Sequence, residues 1–198
     1  MPSTDLNLVL LADTPLADRV NIADLRPVFE TNFERQVVMI LDGKTSIEVA
    51  IDRGQIVSGT RQLPLNELEL ELKAGDSAAL LVWAKKLAEQ VPVFLNLVSK
   101  AEQGYYLAGL HEPDFPGPPD NEVLSVSDFL HGLSQSCLVG QPCPISRWNL
   151  TEVRARAAKE GVSESLQMVE TALQRGARIA DLAREPVLGQ LQLAIASE

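Results

Sequence analysis

Between Leu65 and Leu72 the chain reads Leu-Asn-Glu-Leu-Glu-Leu-Glu-Leu. Strict alternation of this kind suits an extended strand, in which successive side chains point to opposite faces. A helix would spread the same leucines and glutamates around its circumference and leave no coherent apolar stripe. The pattern predicts Leu68, Leu70 and Leu72 on a core face and Glu67, Glu69 and Glu71 on the other. A second constraint is Glu112–Asp120, Glu-Pro-Asp-Phe-Pro-Gly-Pro-Pro-Asp, with four prolines in nine residues. Proline fixes φ, lacks an N–H donor and biases the residue before it away from helix, so this segment is neither a helix nor an inner strand. It reads as a stiff connector (112–120) between an α+β body (1–111) and a mainly helical C-terminal region (121–198) packed on the body or on a partner.

Within the body, the apolar run Leu6–Leu11 is expected to be a buried strand. Asn21 is expected to cap a short helix reaching about Phe33. Val37–Leu41, Asp42-Gly43-Lys44 and Thr45–Ile51 read as a hairpin, because Asp-Gly readily takes the positive φ of a tight reversal. Arg53-Gly54 is expected to reverse the chain again before Gln55–Val57. Asp76 or Ser77 caps a helix to about Gln90, with Leu80, Leu81, Ala84, Leu87 and Ala88 as its apolar stripe. Val93–Val98 and Tyr105–Leu110 read as a closing hairpin around Ser99–Gly104. The expected fold class is thus α+β: an antiparallel or mixed sheet of about five to seven strands, with helices on one face. In the C-terminal region, helices are expected near Ser125–Leu133, Thr151–Glu160, Ser163–Arg175 and Ala177–Ala183. Pro186 then breaks the pattern before a last apolar stretch, Val187–Ile195.

Charge narrows the function. The 198 residues hold 17 Lys and Arg against 27 Asp and Glu, a net charge of −10, with 45% hydrophobic and only 5% aromatic residues. All the excess negative charge precedes Ser146. Such a field repels phosphate polyanions, and few aromatics leave few stacking platforms, so nucleic acid is an unlikely partner. No secretory leader is read at the N-terminus, and no apolar run approaches the 18 or so residues that cross a bilayer. Two cysteines make no disulfide scaffold, so a reducing cytoplasm is the expected compartment.

Several constellations suggest chemistry. Val153, Ala157, Gly161-Val162-Ser163 and Leu166 are similar to the turn of a helix-turn-helix DNA reader. However, Ser163–Leu173 carries Glu164 and Glu170 and no Lys or Arg, so it lacks the side chains that reach phosphates and base edges. Arg154, Arg156 and Lys159 on the preceding helix are its only candidate backbone contacts. His131, Cys137 and Cys143, with His111-Glu112 upstream, include zinc-type ligands, but not the two-to-four-residue spacing of a structural knuckle. The same thiols and imidazoles form a conceivable nucleophile pair near His111, His131 and Cys137, although no cation or helix N-terminus activates Cys137. There is no Gly-x-Ser-x-Gly turn and no glycine-rich phosphate loop.

The glutamate ladder is the best-defined chemical surface. Its carboxylates stand about 6.8 Å apart along the strand, and only Lys73 is near to offset them. The sequence therefore favours a non-catalytic cytoplasmic protein-protein interaction module of bacterial immunity, chaperone or anti-regulator type. Such a module would occlude a basic partner protein through Glu67, Glu69 and Glu71, with Trp83, Phe115 and Leu65 as apolar anchors. It would need no metal or cofactor. The alternatives are a small enzyme with a His/Cys centre and a transcription-related regulator using the C-terminal helices. Leu166, Val169 and Leu173 could pair with a second copy as readily as with the body.

Overall fold

The structure, a computed structural model, describes residues 14–15, 21, 24–113 and 123–196. Leu6–Leu11, Phe115 and most of the proline-rich connector lie outside them.

Three long antiparallel strands form the sheet in the order β1-β2-β3: β1 Glu30–Asp42, β2 Thr45–Ser58 and β3 Arg61–Ala74. The loops between them hold two residues each, and the first residue of each loop is a glycine at positive φ, Gly43 at 60° and Gly59 at 58°. That is the backbone a tight hairpin demands and most other residues resist. The expected reversal at Arg53-Gly54 does not occur, and β2 runs straight through it. Gly54 lies opposite Phe33, and a Cβ there would collide with the Asn32 carbonyl oxygen and stand 2.5 Å from the Phe33 Cα. This glycine therefore serves close strand approach rather than a turn.

The expected helix from Asn21 to Phe33 is also corrected. Asn21 and Asp24 form one local turn, in which the Asp24 N–H donates to the Asn21 carbonyl at 3.0 Å, and β1 begins at Glu30. Pro27 stops helical propagation, and the residues after it, Thr31, Phe33, Val37 and Val38, favour strand.

The sheet has three strands among the described residues rather than five to seven, for two further reasons. Tyr105–Leu110 belongs to a helix, α2 (Lys100–Ala108), which follows α1 (Ala78–Gln90). The Ser99 hydroxyl accepts from the Glu102 N–H at 3.1 Å, and Gly109 at φ 73° ends the helix. Val93–Val98 is extended but pairs with side chains rather than with a strand. The fully buried Gln192 accepts from the Leu95 N–H at 2.9 Å and donates to the Leu95 carbonyl at 3.0 Å, while Ser134 accepts from the Leu97 N–H at 3.0 Å. Nor are the buried side chains confined to one face. On β2, Ile47 and Val49 are buried on one side, and Ala50, Asp52 and Ile56 on the other.

The C-terminal helices are α3 (Val126–Val139), α4 (Thr151–Lys159), α5 (Ser163–Gln174), α6 (Ile179–Leu182) and α7 (Pro186–Ile195). Pro186 starts α7 instead of interrupting it, since the first helical position needs no N–H partner. Phe129, Leu133, Leu150, Val153, Leu188 and Leu191 form one core, into which Phe94 and Leu95 also pack. Leu166, Val169 and Leu173 are buried in that same core, so their apolar stripe is used within the chain.

Two outcomes are expected. Gln192→Leu, which removes the acceptor of the Leu95 N–H and one of the two donors to the Leu95 carbonyl, should lower stability by about 2 kcal/mol in urea denaturation. Gly54→Ala should loosen the β1–β2 pairing, seen as faster amide exchange at Asn32 and Phe33 with the C-terminal helices unaffected.

Candidate functional site

The glutamate face of β3 carries the chemistry. In the observed register Asp52 pairs with Arg35 on one side and Glu67 on the other, and Ala50 pairs with Glu69, so these side chains project from one face of the sheet. The alternation in β3 is as its sequence implies, but burial is not confined to the leucine face. Leu65 and Asp52 are buried on the glutamate face, whereas Leu68 on the other is 43% exposed.

The Asp52 side chain is fully buried, and a carboxylate there is tolerable only if it is paired. Arg35 meets it with two parallel bonds of 2.7 Å, Nε to Oδ1 and Nη2 to Oδ2, and its Nη2 also reaches Glu69 at 2.7 Å. Lys100, from the first turn of α2, places Nζ at 3.1 Å from Asp52, 2.6 Å from Glu67 and 2.5 Å from Glu69. Gln103, one turn on, donates to Glu67 at 3.3 Å. The Phe33 ring lies 5.5 Å from both the Arg35 guanidinium carbon and the Lys100 ammonium, so the cations are held against an aromatic face as well as by carboxylates.

Electrostatics follow from this packing. Hydrogen bonding from Arg35 holds the Asp52 carboxyl below its ordinary value; burial opposes the shift and Lys100 assists it. Burial pushes the Lys100 ammonium down, but Glu67, Glu69 and Asp52 outweigh that effect and raise it. Both groups therefore stay charged at neutral pH.

Oxygen atoms of Asp52, Glu67 and Glu69 all lie within 4.8 Å of one another. Three hard carboxylate donors on one patch fit Mg²⁺ or Mn²⁺ rather than a thiophilic metal. The five charges sum to −1, so a divalent cation would turn the patch positive. An open groove of 1330 Å³ runs past these residues along β3 towards α1 and the Val93–Val98 segment.

The other sequence candidates are placed as follows. Glu71 shares Lys73 with Glu48, at 2.8 and 3.3 Å, so none of the three glutamates is a free wet face. Trp83 lies on α1 with the Lys86 ammonium 4.2 Å from its ring centre, and Leu65 is buried. His111 and His131 do approach one another's neighbourhood, through Glu102. Cys137 does not join them, because it lies six residues beyond His131 on α3, about 240° around the helix, and lines the groove instead. Burial raises the Cys137 thiol and pushes that of Cys143 up to about 11, so neither is an activated nucleophile. Arg154 is held by Glu170 through bonds of 3.1 and 2.8 Å, which spends the cation a DNA contact would require.

Sequence reasoning missed Arg35, Asp52 and Lys100. Asp52, like Glu48 before it, interrupts a largely apolar strand, a signal of a polar site on that strand. Lys100 was hidden by reading its segment as a hairpin, although Ser99-Lys100-Ala101-Glu102 has the capping-box spacing that announces a helix start.

Among the described residues no helix is long and apolar enough to cross a membrane. A curated protein of Haemophilus influenzae named "Inorganic triphosphatase" is 35% identical over 83 residues, which is 42% of this chain and 24% of that protein. The chain thus spans about a quarter of that relative's length. The reading as a non-catalytic interaction module of immunity or chaperone type is overturned by this match and by the family match. The sequence profile of the CYTH domain, a fold of triphosphate-tunnel barrel type, covers residues 6–105, and the chain belongs to the CYTH domain family.

Proposed function

We propose that this chain binds inorganic triphosphate together with a divalent cation on the Arg35–Asp52–Glu67–Glu69–Lys100 face and supports hydrolysis of its terminal phosphoanhydride. The observation that carries the reading is the buried Asp52 with two carboxylate neighbours, bracketed by an arginine and a lysine. The similarity to the H. influenzae protein named "Inorganic triphosphatase" supplies the substrate class.

Asp52, Glu67 and Glu69 would hold the cation. When bound, it supplies Lewis-acid polarisation of phosphoryl oxygens and neutralises their charge. Arg35 and Lys100, sharing those carboxylates with the ion, would turn their N–H groups to the non-bridging oxygens of the substrate. The guanidinium suits two oxygens at once, the ammonium acts as a point charge, and Phe33 limits where either can move. A water oxygen then bonds to the terminal phosphorus while the bond to the bridging oxygen breaks. Diphosphate departs with that electron pair, and the proton of the water passes to Glu69, the most exposed carboxylate of the three.

Phosphate release from tripolyphosphate should require Mg²⁺ or Mn²⁺ and stop when EDTA removes it. Lys100→Ala and Glu69→Gln should each lower kcat/KM by about a hundredfold, the usual cost of losing one preorganised charge. Release that ignores chelation, or that survives both substitutions, would refute the assignment.

A further inference from the structure

We propose that Gln103 is a positioning residue of the carboxylate face, holding Glu67 in the orientation from which it grips a divalent cation; the inference rests on reading that face as an ion site. Gln103 lies three residues after Lys100 on α2, so the two side chains leave the helix on one side. They divide Glu67 between them. Lys100 Nζ meets Oε2 at 2.6 Å, and Gln103 Nε2 donates to Oε1 at 3.3 Å. With a partner on each oxygen, the carboxylate cannot turn about its last bond without giving one up. The same amide nitrogen also donates to the Val98 carbonyl at 3.3 Å, so both of its N–H groups are used. Gln103 thus ties the sheet to the Val93–Val98 segment.

Both ends of that tie are fixed. Val98 is buried, its N–H donates to the Asn96 side chain at 3.1 Å, and Gln192 and Ser134 hold Leu95 and Leu97 just before it. On α2 the Gln103 N–H donates to the Ser99 carbonyl at 3.0 Å. Gly104 lies so close to the Phe29 ring that a Cβ there would stand 2.3 Å from it, which seats the helix beside the start of β1. Gln103 itself is only 7% exposed. Its chemical type matters as well. A neutral amide orients Glu67 without offsetting its charge, whereas a lysine or arginine in its place would add a second cation to that carboxylate and compete with the ion. Hydrogen bonds that orient a ligating carboxylate in this way are worth about 10–100-fold in metal affinity or activity. Through Gln103, α3 and α7, which lie beyond the residues 6–105 matched by the family, also bear on the site.

The test titrates Mn²⁺ into the full chain without substrate and follows the free ion by its electron paramagnetic resonance signal. The parent should bind Mn²⁺, and Gln103→Met, which keeps the length and removes both donors, should bind it about tenfold more weakly. Gln103→Asn, too short to bridge the two oxygens, should lose less, and it carries the test if the methionine variant does not fold. In a Glu67→Gln background, Gln103→Met should cost nothing further, because its effect passes through Glu67. In phosphate release from tripolyphosphate, added Mn²⁺ should restore most of the kcat of Gln103→Met but not that of Glu69→Gln. Gln103 variants that bind Mn²⁺ like the parent, or that lose as much again in the Glu67→Gln background, overturn the inference and leave the ion site standing. A parent chain that binds no Mn²⁺ overturns both.

Discussion

Everything near the carboxylate face is arranged around one constraint: Asp52 is a charge without access to water. Desolvating a lone carboxylate costs several kcal/mol, so the sheet can bury it only where cations arrive with good geometry. Arg35 arrives from the neighbouring strand, at the position directly opposite in the register. Lys100 arrives from outside the sheet, and it reaches Asp52 only because Ser99 starts α2 where it does. Strand register and helix position are therefore coupled through a single side chain. A one-residue slip of β1 would turn Arg35 to the opposite face and strand the buried charge, which is a stronger specification of register than apolar patterning alone provides.

The same constraint explains why net charge misdirected the functional reading. A chain at −10 repels polyanions at long range, and that argument holds for binding by bare electrostatics. It does not reach a patch where acidic groups are gathered with oxygen-ligand spacing, because a divalent cation bound there would reverse the local sign. Glu67 and Glu69, read from sequence as a face for a basic partner, are engaged by Lys100 and Arg35. Within the chain, two of the ladder's three carboxylates are thus already paired with cations from β1 and α2.

Much of the secondary structure was legible. The β1–β2 hairpin, β3, α1 and the helical character of the C-terminal region are all marked by alternation, Asp-Gly and 3.6-residue periodicity. What failed did so for identifiable reasons. Val93–Val98 looks like a strand because it is apolar and extended, yet its peptide groups are satisfied by Gln192 and Ser134, residues distant in sequence. Gly54 looks like a turn, but a glycine also permits two backbones to come close, and sequence does not separate these uses. Of the candidate site, Glu67 and Glu69 were visible as a pair. Their partners were not, because nothing local connects residue 35 with 52 or 52 with 100.

The two faces of the sheet share burial between them instead of dividing into an apolar inside and a polar outside. In an ordinary half-buried strand the apolar side is the inner one, and the rule depends on there being nothing but hydrophobic burial to decide the matter. Here the Asp52 side of the sheet is partly enclosed, and its carboxylate meets Arg35 and Lys100 most strongly where water is reduced and the effective dielectric is low. Leu65, Ile56 and Ala50 supply that low-dielectric border around Asp52. On the opposite face Val38 and Leu68 are exposed beside the buried Ile47 and Val49, while the exposed Val37, Met39 and Leu41 lie on the Arg35–Asp52 face of a strand that, among the described residues, pairs only with β2. Enclosed charges on one face together with buried Ile47 and Val49 on the other suit a wall of a tunnel-type barrel better than a solubilising outer face.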